Sequence, residues 1–132
     1  MRLLTLRTVL VATDHTPASD AALETARRLV EASGAKLHVA HVAAPDSPAE
    51  TRRRHTPDVA LGRAGPTARQ QRYHLLNGDP AAQVSGLANR LDADLIVLGR
   101  HADDGSHRPG RKLGSTAYAV ITAAAAPCLV VR

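Results

Sequence analysis

One feature constrains the possible folds of this chain more than any other: a short apolar run, followed by a loop and the start of a helix. Leu95-Ile96-Val97-Leu98 has no polar interruption, which is typical of a strand buried on both faces of a parallel sheet. Gly99 ends the run, and Gly114-Ser115-Thr116 opens an alanine-rich stretch that favours a helix. This layout suits a phosphate, because free backbone N–H groups and the helix dipole both favour an anion at a helix N-terminus.

The rest of the chain repeats the same alternation of strand and helix. Apolar runs predict four further strands, at 8–12, 37–43, 71–76 and 129–131. Amphipathic or capped stretches predict helices at 17–32, 80–91 and 115–125. Such alternation implies a parallel sheet with helices on both faces, an α/β fold. Ligands of these sheets bind outside the carboxyl ends of strands where the strand order reverses, and Asp14 and Gly99 lie just past such ends.

The composition fits a single globular domain over residues 1–132 in a reducing cytoplasm. Hydrophobic residues make up 44% of the chain and charged residues 22%. Cys128 is the only cysteine, so an internal disulfide is excluded. No apolar run has the length of a secretory signal or of a membrane span. Prolines and glycines are frequent in 46–67, which we predict to be the least regular segment.

The charge balance raises the question of a nucleic-acid partner. The formal net charge is +5, and basic chains often bind nucleic acid. The arginines are nevertheless scattered, apart from the run at 52–54, and a solvated surface is the simpler interpretation of such a pattern. Phe and Trp are absent and Tyr occurs twice, so platforms for base stacking are lacking. Neither nucleic acid nor a membrane is therefore the expected partner.

The sequence shows no arrangement of residues that predicts catalysis or metal binding. His38 and His41 lie three positions apart on one predicted strand, so they point to opposite faces and cannot share a metal. No nucleophile with a neighbouring base, and no paired carboxylates, stand near the candidate pocket. An enzyme with substantial turnover is disfavoured, and no metal site is predicted.

Five segments of the chain stand in an order that identifies a family. They are the first strand with its acid and turn (9–19), the Gly-Asp-Pro turn (78–80), the Asp-Ala-Asp approach to the fourth strand (92–99), Gly114-Ser115, and the closing run 126–131. Together they resemble the universal stress protein family along nearly the whole chain. Each segment alone is a weak signal, and their common order makes the resemblance specific.

The resemblance implies a fold, a ligand and an assembly. The family fold is Rossmann-like and similar to that of the adenine nucleotide alpha hydrolases: a five-stranded parallel sheet of order 3-2-1-4-5 with helices on both faces. The implied function is that of a small cytoplasmic stress-response or signalling protein that forms a homodimer through its last strand. One branch of the family binds ATP, so ATP, with Mg²⁺ as a candidate companion, is the expected cofactor. Slow ATP hydrolysis stays open.

The resemblance also assigns candidate nucleotide-binding residues. Asp14 matches the acid that holds the ribose hydroxyls in the family, and Val42 matches the second-strand position whose backbone meets the adenine. Gly99 matches the first glycine of the family's phosphate-binding pattern. Gly114-Ser115 matches the last pair of that pattern, and Thr116 follows as a further candidate.

The phosphate loop departs from the family pattern at two points. Ala102 stands where the second glycine is expected, and 11 residues separate it from Gly114 where the family has nine. A Cβ at this position hinders the close approach of backbone to phosphate. Arg100 and Arg111 are candidate phosphate contacts, because a guanidinium pairs well with phosphate oxygens. Two hypotheses therefore stay open: an ATP-binding module, and an ATP-independent dimeric interaction module of the same fold.

Overall fold

Five strands and three helices alternate along the parts of the chain that the computed structural model describes, residues 5–13, 17–43, 71–100 and 115–131. In chain order they are β1 (Thr8–Thr13), α1 (Pro17–Ser33), β2 (Lys36–Ala43), β3 (Gln71–Asn77), α2 (Pro80–Leu91), β4 (Leu95–Gly99), α3 (Ser115–Ala123) and β5 (Cys128–Val131). The strands and helices predicted from the sequence are confirmed to within two residues. The segment 46–67, with its arginine run, lies outside the described residues.

The described strands form one parallel sheet in the order β3-β2-β1-β4-β5, which confirms the predicted order. β1 lies between β2 and β4, so that Val9 stands opposite both Leu37 and Leu95. The strand order therefore reverses beside β1. The carboxyl ends of β1 and β4, Thr13 and Gly99, emerge at the same edge of the sheet.

Helices cover both faces of this sheet, as expected for strands that are apolar on both sides. On one face α1 packs its small residues against the valines of β1, β2 and β4; the buried residues of this face include Val9, Val11, Val39, Val97, Ala22, Ala26 and Val30. On the other face α2 and α3 pack together; the buried residues there include Leu10, Ile96, Leu98, Val84, Leu87 and Val120. Burial of these two sets is the main driving force for the fold.

One carboxylate ties the start of β4 to the start of β1. Oδ2 of Asp94 accepts hydrogen bonds from the backbone N–H groups of Arg7, at 2.8 Å, and Thr8, at 3.0 Å. The N–H of Asp94 donates in return to the carbonyl of Thr8 at 2.9 Å. These three hydrogen bonds join the N-terminal ends of β1 and β4 and fix the register between the two strands.

The helix ends follow the local signals in the sequence. Gly34 stops α1 with a φ of +73°, and its N–H donates to the carbonyl of Val30 at 2.8 Å, as in a left-handed helix cap. Asp79 caps α2 by accepting from the N–H of Ala82 at 2.9 Å. α3 ends at Ala123, two residues before the predicted end, because in a continued helix Pro127 would offer no N–H to the carbonyl of Ala123 and its ring would clash with that carbonyl.

We predict that Asp94→Ala lowers the free energy of unfolding by about 2 kcal/mol, because two backbone donors lose a charged acceptor. Asp94→Asn is the matched control, since its amide oxygen can still accept, and it should cost about half as much. Urea unfolding of the three proteins measures both values. Equal stability of the alanine variant and the parent protein would contradict this role for Asp94.

Candidate functional site

A cleft of about 200 Å³ opens at the carboxyl ends of the strands, where the strand order reverses. The ends of three neighbouring strands form its floor; these residues are Ala12, Thr13, Ala40, Val42, Leu98 and Gly99. The first turns of all three described helices form its walls; these residues are Ser19, Pro80, Val84, Thr116 and Ala117. The cleft therefore lies at the place where sheets of this type bind their ligands.

Small side chains on facing strand positions make the floor of the cleft hollow. Ala12 of β1 stands directly opposite Ala40 of β2, while the preceding pair on the same face is Leu10 opposite His38. The change from two large side chains to two methyl groups removes volume above the sheet. This pair is not recognisable in the sequence, because the two alanines lie 28 positions apart and only the strand register brings them together.

Three of the residues assigned by resemblance line the cleft: Val42 at the end of β2, Gly99 at the end of β4, and Thr116 in the first turn of α3. Ser115 is the first residue of α3, so its backbone lies at the helix N-terminus. The candidate contacts Asp14, Ala102, Gly114 and Arg111 lie outside the described residues.

Arg100 directly follows the cleft-lining glycine of β4. Its backbone N–H donates to the carbonyl of Val131 at 2.9 Å, which extends the pairing between β4 and β5. The residue as a whole is partly buried. Its backbone is therefore fixed by the sheet next to Gly99.

A buried polar network supports the end of β1 beside the cleft. The hydroxyls of Thr13 and Ser19 lie 3.1 Å apart and join β1 to the first turn of α1. Nδ1 of His41, a residue only 7% exposed, lies 2.9 Å from the carbonyl oxygen of Thr13. Because a carbonyl only accepts, Nδ1 carries the proton and donates. The sequence analysis weighed His41 only as a metal ligand and missed this supporting contact.

The cleft is suited to binding. None of the described residues that line the cleft carries a formal charge, so their part in recognition rests on shape, hydroxyl groups and backbone. Residues near the N-termini of three helices line the cleft, and the positive ends of the helix dipoles favour an anionic ligand group. Within the described residues no three His, Cys, Asp or Glu side chains are grouped to hold a metal ion. No described helix is both long and apolar enough to cross a membrane.

Residues 5–132 match the model of the universal stress protein family, and the chain belongs to this family. Among solved structures, universal stress protein UspA from Lactobacillus plantarum aligns with a TM-score of 0.82 at 24% identity, over 96% of this chain and 98% of that chain. A universal stress protein solved in complex with cAMP aligns with a TM-score of 0.73 at 28% identity, over 97% and 98%.

A more distant relative shares the fold. The universal stress protein from Archaeoglobus fulgidus, solved in complex with dAMP, aligns with a TM-score of 0.62 at 18% identity, over 98% of this chain and 100% of that chain. Comparison with curated protein sequences finds no match. The family assignment therefore rests on the family model and on the solved structures.

We predict that His41→Leu lowers the free energy of unfolding by about 1–2 kcal/mol, because the carbonyl of Thr13 loses a buried donor. His41→Asn is the matched control, since its side-chain N–H₂ can donate from nearly the same place, and it should recover part of the loss. Urea unfolding compares the variants. If asparagine and leucine cost the same, the hydrogen bond to Thr13 contributes nothing specific.

Proposed function

We propose that the chain binds an adenine nucleotide in this cleft and acts as a stress-response or signalling module in the cytoplasm. The observation that carries the proposal is the cleft itself, a hollow at the reversal of strand order whose described lining residues are uncharged and include residues near the N-termini of three helices. The relative that is 28% identical and was solved with cAMP supports the same ligand class.

The apolar floor suits a nucleobase. Ala12, Ala40 and Leu98 present aliphatic surface, against which the flat face of a base can be buried. The pairing of β1 with β2 ends at His41, whereas β2 continues to Ala43. Beyond His41, no described strand pairs with the side of β2 that faces β1. The backbone around Val42 is therefore proposed to meet the adenine edge, in agreement with the family pattern.

The opposite wall suits the phosphates. Gly99 contributes no side chain, and α3 begins at Ser115 with Thr116 lining the cleft; the first N–H groups of a helix have no acceptor within the helix and favour an anion. We propose that the phosphates lie there. The loop residues Ala102 and Gly114 belong to the same proposal, with Arg100 and Arg111 as charged partners, and Asp14 is the proposed ribose contact.

An ATP-independent interaction module is the second candidate function, and a specific surface favours it. β5 is an edge of the described sheet, and Leu129 on β5 is 38% exposed. Tyr118 and Ile121 on α3 are also exposed, at 63% and 38%. Pairing of two chains through β5 would cover an open strand edge, and this is the homodimer that the family resemblance implies.

Thermal unfolding with and without nucleotide tests the ligand. At a concentration about 100 times its Kd, a ligand of the folded state adds about 2.7 kcal/mol, which raises Tm by about 5–10 °C for a domain of this size. We expect this shift with ATP and Mg²⁺ or with cAMP, and not with GTP. No shift with any adenine nucleotide would favour the interaction module. Sedimentation velocity would then measure whether the chain forms a dimer.

A variant that fills the floor tests the location. Ala12→Leu places a larger side chain in the cleft, so we expect the affinity for the nucleotide to fall by about tenfold or more, or about 1.4 kcal/mol. Ala32→Leu makes the same change at an exposed position near the end of α1 and should leave affinity unchanged. Calorimetric titration measures both. Unchanged affinity in a folded Ala12→Leu protein would place the ligand elsewhere.

A further inference from the structure

Two histidines on neighbouring strands form a directly bonded pair outside the cleft. Nδ1 of His38 on β2 lies 2.9 Å from Nε2 of His74 on β3. The ring centroids are 5.1 Å apart and the planes differ by 25°. The centroid separation is roughly the N···N distance plus the two ring radii, so the rings meet edge to edge with the two nitrogens aimed at each other.

This geometry accommodates one proton between the two nitrogens. One ring donates its N–H and the other accepts with a lone pair. If the pair takes up one additional proton at an outer nitrogen, the inner hydrogen bond survives. A second additional proton places N–H groups on both facing atoms, which removes the acceptor and adds repulsion between two cations at close range.

The surroundings of the pair oppose protonation. Burial lowers the pKa of His38, and His74, Arg72 and Lys36 lower it further. Burial also lowers the pKa of His74, and Arg90 on α2 adds to the effect. These charged groups, from β2, β3 and α2, are all cations. Among the described residues a divalent metal would meet the same cations with these two ligands and no third, so the pair as described is suited to a proton.

The pair lies between the edge of the sheet and the cleft. Within the described sheet β3 is the edge strand and pairs only with β2. His74 stands in register with Ala40 of the cleft floor. Beyond its last residue, β3 leads through Gly78 and Asp79 to Pro80, which lines the cleft. Whatever loosens β3 therefore acts on both the floor and the α2 wall of the cleft.

We propose that the His38–His74 pair is an acid-sensitive contact that adds to the backbone pairing of β3 with β2 at neutral pH and is broken when the pair becomes doubly cationic. Loss of the contact weakens the pairing beside Ala40 and shifts the first turn of α2. The contact is independent of any ligand. Only its consequence for binding rests on the proposed nucleotide function.

The sign of the pH dependence follows from proton linkage. In the unfolded chain both rings titrate near the ordinary histidine pKa, whereas in the folded chain the pKa of each is lower. Between these values the unfolded state binds more protons, so the stability falls as the pH falls. Above the ordinary histidine pKa, the pair makes its full contribution to the free energy of unfolding. This contribution is lost as the pH drops from that value to the lower pKa values of the folded pair.

The double variant His38→Asn with His74→Gln is the matched control. The amide of asparagine lies close to the position of Nδ1 and that of glutamine close to the position of Nε2, so a neutral hydrogen bond is kept while both titrations are removed. Between pH 8 and pH 5 we expect Tm of the parent protein to fall by about 4 °C more than Tm of the variant. An equal fall in both proteins would overturn the proposal.

Imidazole NMR on the parent protein tests the same proposal without any substitution. We expect the His38 and His74 signals to shift in coupled steps, with the last proton taken up well below the ordinary pKa. The backbone amides of Ala40 and Val84 should shift with that step. Independent titration of both rings at the ordinary value, or a final step that leaves these amides unmoved, would overturn the proposal. No nucleotide is added, so this result does not depend on whether the cleft binds one.

Discussion

The structure depends on the complete burial of one central strand. Val9, Leu10 and Val11 of β1 have no exposed surface, and β1 is paired on both sides and packed on both faces. A strand in this position needs a hydrogen-bonded neighbour on each side to satisfy its backbone groups, and here parallel strands supply them while helices exclude water from both faces. The neighbouring strands, the covering helices and the direction of the chain all follow from this requirement.

The two ends of the sheet differ in how the space between β1 and β4 is filled. At the entrance of the strands, Asp94 and the backbone of Thr8 close the gap between β1 and β4 with hydrogen bonds. At the carboxyl ends β1 and β4 are followed along the chain by different helices, α1 and α3. Facing alanines and Gly99 leave space there, and the helix N-termini face it. One end of the sheet is therefore closed by hydrogen bonds, and the other opens into the cleft.

The sequence predicts the strands well where the physical signal is local. Burial on both faces produces uninterrupted apolar runs, and a run such as that of β4 is visible without knowledge of its neighbours. The strand order came from resemblance to a family, since no local property of a strand specifies its partners. Ala12, Ala40 and His74 escaped notice because their roles arise from register between strands. A residue becomes part of a cleft floor or a bonded pair only after the sheet has formed.

Backbone NMR during a titration with ATP and Mg²⁺ tests the central claim most directly, namely that the hollow at the reversal of strand order is the ligand site. The account predicts that the largest shifts of amide signals occur at Val42, Gly99 and Thr116, at the ends of β2 and β4 and the start of α3. Shifts concentrated instead at Tyr118 and Leu129 on the outer surface, or no shifts at all, would contradict it.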